Sequence, residues 1–154
     1  SRLMVRGFLL NNELTDFSFR SHTDGVPIAN RVEPGKRPRS SMAPTIVMRD
    51  GKPVLAIGSP GGSRIIGYVA QAIIAWADWG YNIQQAVAMP HLVNRFGTYD
   101  VEAGTDAVNL TGTLQQMGYE VSQRDLNSGL HAIEIGEVLK GAADPRREGI
   151  ALGK

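Results

Sequence analysis

The sequence has 154 residues, 42% hydrophobic and 20% charged, which is enough for one globular domain with a buried core. Its 16 basic side chains stand against 15 acidic ones, and this near balance excludes a broad cationic field for nucleic acid or an anionic membrane surface. With no Cys there is no disulfide, thiol nucleophile or Cys-ligated zinc, and no run of about eighteen apolar residues is present to span a bilayer.

The chain opens at Ser1 without an initiator Met or signal peptide and runs at once into an apolar, strand-like stretch, residues 3–10, with Gly7 in its middle. A domain rarely begins inside a strand, so Ser1 reads as a processing boundary with a longer protein upstream. Asn11-Asn12 then offers turn chemistry. Residues 15–39 hold three prolines, two glycines and no apolar period, the composition of a long functional loop. Strands follow at 43–48 and 53–57, joined by Arg49-Asp50-Gly51-Lys52, where Asp-Gly is the strongest short hairpin signal.

Beyond Gly58-Ser59-Pro60-Gly61-Gly62, apolar residues recur at Ile65, Val69 and Ile73 and again at Ile66, Ala70 and Ile74. This four-residue spacing predicts a helix, capped by Ser63 and ended by Gly80, with the first set turned to a sheet. Short helices are expected at 83–89 and 107–117, each stopped by a breaker, Pro90 or Gly118. Strands are expected at 119–122, 131–135 and 138–142, the last two pairing across Gly136. The order β, β, β, α, α, β, α, β, β, β lacks alternating βαβ units and points to an α+β fold rather than a Rossmann sheet.

The richest local feature is Gly58-Ser59-Pro60-Gly61-Gly62-Ser63-Arg64, between a strand and the long helix. Glycines allow consecutive N–H groups to face a ligand, and the helix start adds positive potential, so the turn suits a phosphate or a tetrahedral oxyanion. It is neither a P-loop, a dinucleotide fingerprint nor a G-x-S-x-G elbow, and a tight packing turn explains the pattern equally well. Ser40 and Ser41 follow the basic run Lys36-Arg37-Pro38-Arg39. Two adjacent hydroxyls can bind a carboxylate, although a local turn contact is the commoner use. Glu13 and Asp16, three residues apart, can clasp an ammonium group, against the commoner reading of capping or exposure. His22, His91 and His131 are scattered without metal-ligand spacing, and Trp76 and Trp79 read as helix packing.

Taken in order, four stretches resemble the small subunit of the γ-glutamyltranspeptidases, which are N-terminal-nucleophile hydrolases. They are Leu9-Leu10-Asn11-Asn12-Glu13-Leu14-Thr15-Asp16-Phe17-Ser18, Lys36-Arg37-Pro38-Arg39-Ser40-Ser41-Met42-Ala43-Pro44-Thr45, Gly58-Ser59-Pro60-Gly61-Gly62-Ser63-Arg64-Ile65-Ile66 and Ala143-Asp144-Pro145-Arg146. The resemblance spans nearly the whole chain. It implies that residues 1–154 are the C-terminal portion of the small, catalytic subunit and part of an αββα sandwich that is incomplete in this chain. It implies that Glu13 and Asp16 hold the α-amino group of a γ-glutamyl substrate, Ser40 and Ser41 its α-carboxylate, and the N–H groups of Gly61 and Gly62 the oxyanion. The implied reaction attacks the γ-amide of glutathione or a related compound, forms a γ-glutamyl ester on the enzyme, and transfers it to water or an amino acid. No cofactor or metal is implied, and a periplasmic or secreted location is.

In the family the nucleophile is a threonine that self-cleavage frees at the start of the small subunit, and it precedes the Asn-Asn-Glu motif by more residues than this sequence holds. No threonine here occupies that place, and no family start motif follows Ser1. The arginine that binds substrate carboxylate belongs to the large subunit, the expected partner from the same precursor. The chain alone is therefore expected to be inactive. After Phe19 the loop has no aromatic residue before Ser41, unlike lid-bearing bacterial members, which implies a more open pocket and larger acceptors. Acylases acting on glutaryl, cephalosporin or poly-γ-glutamyl amides are the alternative within the class, although the pair Glu13 and Asp16 favours an α-amino substrate over glutaryl. A catalytically silent structural fragment is the alternative outside it.

Overall fold

A computed structural model describes residues 3–153, so Ser1 lies outside the described residues. They form two compact units that divide between Ser40 and Ser41.

In the first unit, β1 (Met4–Val5) and β2 (Phe8–Leu9) pair antiparallel. Residues 3–10 are thus a hairpin rather than the expected single strand. The reason is local: Arg6 and Gly7 take φ of 50° and 84°, a two-residue turn that suits the right-handed twist of paired strands. Glu13–Asp16 is one turn of 3-10 helix. The expected loop at 15–39 contains a second small hairpin, β3 (His22–Thr23) with β4 (Val26–Pro27), turned by Asp24-Gly25 at φ 49° and 76°. Farther along, Lys36 Nζ donates to the Ala29 carbonyl at 2.7 Å and pairs with Glu33 at 2.9 Å, so part of the basic run is tied down. The Lys36 hydrogen bond holds the Glu33 carboxyl below its usual range, with Arg31 acting in the same direction.

The second unit is built on a four-stranded antiparallel sheet. Its members are β5 (Thr45–Arg49), β6 (Lys52–Gly58), β10 (His131–Ile135) and β11 (Leu139–Ala143), in the order β11-β10-β6-β5. The Asp50-Gly51 hairpin is present, with a register irregularity between Val47 and Met48. Alternation along the strands sends Leu55, Ile57, Ala132 and Ala142 to one face, which is buried under α1 (Ile65–Ala77) and α2 (Ile83–Ala88). Full burial of side chains such as Leu55 and Leu130 contributes roughly 2 kcal/mol each. The other face carries Ile46, Ala56 and Ile133 and borders a groove of about 550 Å³ that Ile150 and Leu152 also line.

Of the helical stripe, Ile65 and Val69 are buried and Ile73 is half-buried against the core, whereas Ile66 and Ile74 are exposed, so the expected face is the packed one. Tyr68, Ala72 and Ala75 complete it. Ser63 does not cap α1: a 3-10 turn, Gly62–Arg64, precedes the helix, and the Ser63 hydroxyl instead receives a hydrogen bond from Arg95 Nη1. Gly80, at φ 73°, lies three residues beyond the end of α1. α2 starts in a reciprocal capping box, in which Asn82 Oδ1 accepts from Gln85 N and Gln85 Oε1 accepts from Asn82 N.

A three-stranded sheet joins β7 (Leu92–Arg95), β8 (Thr98–Glu102) and β9 (Glu120–Arg124) around Val101, Ala107 and Leu114. β8 and β9 are parallel and are connected through α3 (Thr111–Gln116). The expected order has a strand, a helix and a strand here but no βαβ unit; the structure has two strands before the helix, and β8 and β9 form one βαβ crossover. The helix expected at 107–117 is divided into a 3-10 segment, Asp106–Leu110, and α3. None of the helices among the described residues is long and apolar enough to cross a membrane.

Candidate functional site

Glu13 and Asp16 occupy the first and last positions of the same 3-10 turn, both half-buried, while Leu14 between them is exposed. The turn is held by the Asn11 side chain, which accepts from Glu13 N at 3.2 Å, and by Thr15 Oγ1, which donates to the Asn12 carbonyl at 2.7 Å. Asn30, which the sequence did not single out, then ties this turn to the serine motif. Its Nδ2 donates to the Asp16 carbonyl at 2.7 Å and its Oδ1 accepts from Arg39 N at 2.8 Å, the residue before Ser40. One amide side chain thereby fixes two backbone points 23 residues apart, Asp16 and Arg39. Ser40 is exposed and closes the first unit, and half-buried Ser41 opens the second.

Within the second unit, Gly61 and Gly62 lie between β6 and α1 with φ of 142° and 60°. Both values favour glycine. A Cβ on Gly61 would lie 2.7 Å from Tyr68 Cε2, whereas one on Gly62 would meet nothing within 4 Å. Among the described residues neither N–H donates to a protein acceptor, although both stand at the start of a helical segment. The surrounding loop is pinned: Ser59 Oγ donates to the Pro60 carbonyl at 2.6 Å and accepts from Gly129 N at 3.1 Å. Just beyond it, Arg64 pairs with Asp100 at 2.6 Å, anchoring the start of α1 to β8.

Next to this turn lies a buried polar network. Arg146 forks onto Glu102, Nε to Oε1 at 2.6 Å and Nη2 to Oε2 at 2.7 Å, and also reaches Asp144 Oδ1 at 3.1 Å. Asp144 accepts from Ser128 Oγ and from Leu130 N, and His91 Nε2 stands 2.6 Å from Ser128 Oγ. Because hydrogen bonds from Ser128 and from the Arg146 and Leu130 backbone keep the Asp144 carboxyl low against the opposing effect of burial, it is ionised and can only accept. Ser128 therefore donates to Asp144 and accepts from His91 Nε2–H, which leaves His91 Nδ1 as a buried acceptor without a partner among the described residues. Burial, assisted by Arg146, pushes the His91 imidazole down to about 4. The fourth sequence landmark, Ala143 to Arg146, is thus a structural clamp. Among the described residues no group of three or more His, Asp or Glu is placed to hold a metal ion.

The fold is a helix-backed antiparallel sheet with a Gly-Gly turn at the end of one strand and paired carboxylates on a separate turn. The Gamma-glutamyltranspeptidase family model matches residues 1–154 in full. Glutathione hydrolase proenzymes of Bacillus subtilis and Escherichia coli are each 40% identical, over 96% and 91% of this chain. Among solved structures, γ-glutamyltranspeptidase from Pseudomonas nitroreducens in complex with L-DON superposes with a TM-score of 0.81 at 34% identity, covering 100% of this chain and 86% of that one. The transpeptidase CapD of Bacillus anthracis superposes at 0.69 with 26% identity, covering 94% and 91%. These neighbours have the N-terminal-nucleophile hydrolase fold. The chain belongs to the γ-glutamyltranspeptidase family. It spans about a quarter of the length of the curated relatives it matches, 25% and 26% for the first two.

Proposed function

We propose that this chain is the C-terminal portion of the catalytic subunit of a γ-glutamyl hydrolase or transpeptidase, supplying substrate-binding and oxyanion groups to a site completed by other segments of the same precursor. The observation that carries this reading is the Gly61-Gly62 turn, two adjacent positive-φ glycines whose N–H groups have no protein acceptor among the described residues. In this reading those N–H groups receive the carbonyl oxygen of the γ-amide as it becomes an oxyanion, a charge present only in the transition state and its tetrahedral intermediate. Glu13 and Asp16 bind the α-ammonium of the substrate, and Ser40 and Ser41 donate to its α-carboxylate.

The hydroxyl nucleophile comes from a threonine upstream of Ser1. It adds to the γ-carbonyl while its proton passes to its own α-amino group. Collapse of the adduct breaks the C–N bond and releases the amine with that proton, leaving a γ-glutamyl ester that water or an amino acid cleaves. The chain by itself has no such nucleophile and turns nothing over. In this reading the sheet face around Ile46, Ala56 and Ile133, which borders a groove, is the side that receives a second sheet of the αββα sandwich. Retention of both Glu13 and Asp16 favours γ-glutamyl over glutaryl donors.

Gly62→Val in the full-length protein tests the reading with a γ-glutamyl anilide. Nothing lies within 4 Å of a Cβ placed on Gly62, so the change acts first through the backbone, which is strained for a β-branched residue at φ 60°. The expected result is a loss of kcat of about a hundredfold with KM within about threefold. An unchanged kcat refutes the oxyanion role.

A further inference from the structure

The Gly61-Gly62 turn rests on a stack of buried rings. Gly61 approaches Tyr68 so closely that no side chain fits between them, and Tyr68 is 1% exposed. The Tyr68 ring lies on His91, centroids 4.2 Å apart and planes tilted by 32°. His91, 2% exposed, is held from its far edge by Ser128, and Ser128 by Asp144. The segment that carries Ser128 grips the turn a second time, through Gly129 N–H to Ser59 Oγ and through Pro60, whose Cγ would lie 2.6 Å from a Cβ on Gly129. A turn with two left-handed glycines has little stiffness of its own. Here its backbone is braced below by an aromatic ring and alongside by a residue adjacent to Ser128.

We propose that Tyr68, supported by His91 and Ser128, is a positioning residue that fixes the Gly61-Gly62 N–H groups for oxyanion binding. This rests on the oxyanion reading given above. The contribution comes from the ring and not from the phenol, because among the described residues the Tyr68 hydroxyl has no protein hydrogen bond. Oxyanion donors tolerate little displacement, and a misplacement of about 1 Å costs up to about a hundredfold in rate.

The test uses the full-length protein with a γ-glutamyl anilide, and compares Tyr68→Leu, Tyr68→Phe and Gly62→Val. Two inhibitors are titrated alongside: the γ-boronate analogue of glutamate, whose adduct is tetrahedral, and L-glutamate, which engages only the ground-state contacts. Tyr68→Leu is expected to lower kcat by at least about tenfold, with KM and L-glutamate affinity within about twofold. The boronate should weaken by the same factor as kcat, and Tyr68→Phe should retain wild-type values. If Tyr68→Leu does not accumulate as folded protein, Tyr68→Met takes its place, with the same expectation. A parallel loss of boronate and glutamate binding indicates general loosening and overturns the proposal, as does an equal kcat loss in Tyr68→Phe. Wild-type kcat in Tyr68→Leu alongside a crippled Gly62→Val overturns the positioning role and leaves the oxyanion reading standing. An active Gly62→Val removes the oxyanion reading and the positioning role with it.

Discussion

His91 makes the stability of the fold acid-sensitive over a defined window. Its imidazole moves from the ordinary value of 6.5 down to about 4, with burial as the larger cause, Arg146 adding to it, and Glu102 and Asp144 opposing. A base with a depressed folded pKa takes up its proton in the unfolded chain first. Stability is therefore complete above about pH 6.5 and falls as the pH drops toward 4, below which both states are protonated and the loss ends. The whole window is worth roughly 3 kcal/mol, of which about 2 kcal/mol falls between pH 7 and pH 5. Urea unfolding at a series of pH values, followed by the fluorescence of Trp76 and Trp79, reads this directly. His91→Phe is the reference: it keeps a ring on Tyr68 but cannot titrate. It leaves Ser128 without its donor and lowers stability at every pH, so the readout is the difference in pH slope. Parallel curves for the two proteins between pH 7 and pH 5 would refute the assignment of a buried, neutral His91.

Asp16→Ala in the full-length protein should raise KM for γ-glutamyl donors by about tenfold or more while leaving glutaryl amides nearly unaffected, because only the former carry the ammonium that the proposed function assigns to Asp16. Equal losses on both donors, measured by steady-state kinetics, would make Asp16 a structural residue. Arg146→Ala strands the Glu102 and Asp144 carboxylates in the interior and should cost about 3–5 kcal/mol, seen as a lower urea midpoint. Arg146→Lys should recover only part of it, since an ammonium cannot fork onto Glu102 as the guanidinium does.

The elements that the sequence predicted well are those whose signals are local. Asp50-Gly51 forces a left-handed turn whatever surrounds it, and the four-residue spacing from Ile65 describes a helix face regardless of what it packs on. The same Asp-Gly signal at Asp24-Gly25 is submerged in a stretch too polar to suggest strands, and Gly7, in the middle of a run that looks like one strand, turns the chain between two. The parallel pairing of β8 with β9 has no local signature, because α3 is short and interrupted by 3-10 geometry. The same holds for the polar clamp. Arg146 and Glu102 are 44 residues apart and His91 and Ser128 are 37 apart, so although Arg146 stands in a motif, nothing in the sequence pairs it with Glu102 or His91 with Ser128. The paired acids, the serines and the Gly-Gly turn were visible as motifs, but Tyr68 and Asn30, which brace them, were hidden among helix-core and loop residues.

The most direct measurement is a crystal structure of the full-length protein with the γ-boronate analogue of glutamate bound to its nucleophile. The expected result is that one oxygen of the tetrahedral boronate lies about 3 Å from the backbone nitrogens of Gly61 and Gly62, with the ammonium of the analogue on Glu13 and Asp16 and its carboxylate on Ser40 and Ser41. A boronate oxygen held by other donors, with both glycine nitrogens more than about 4 Å away, would contradict it.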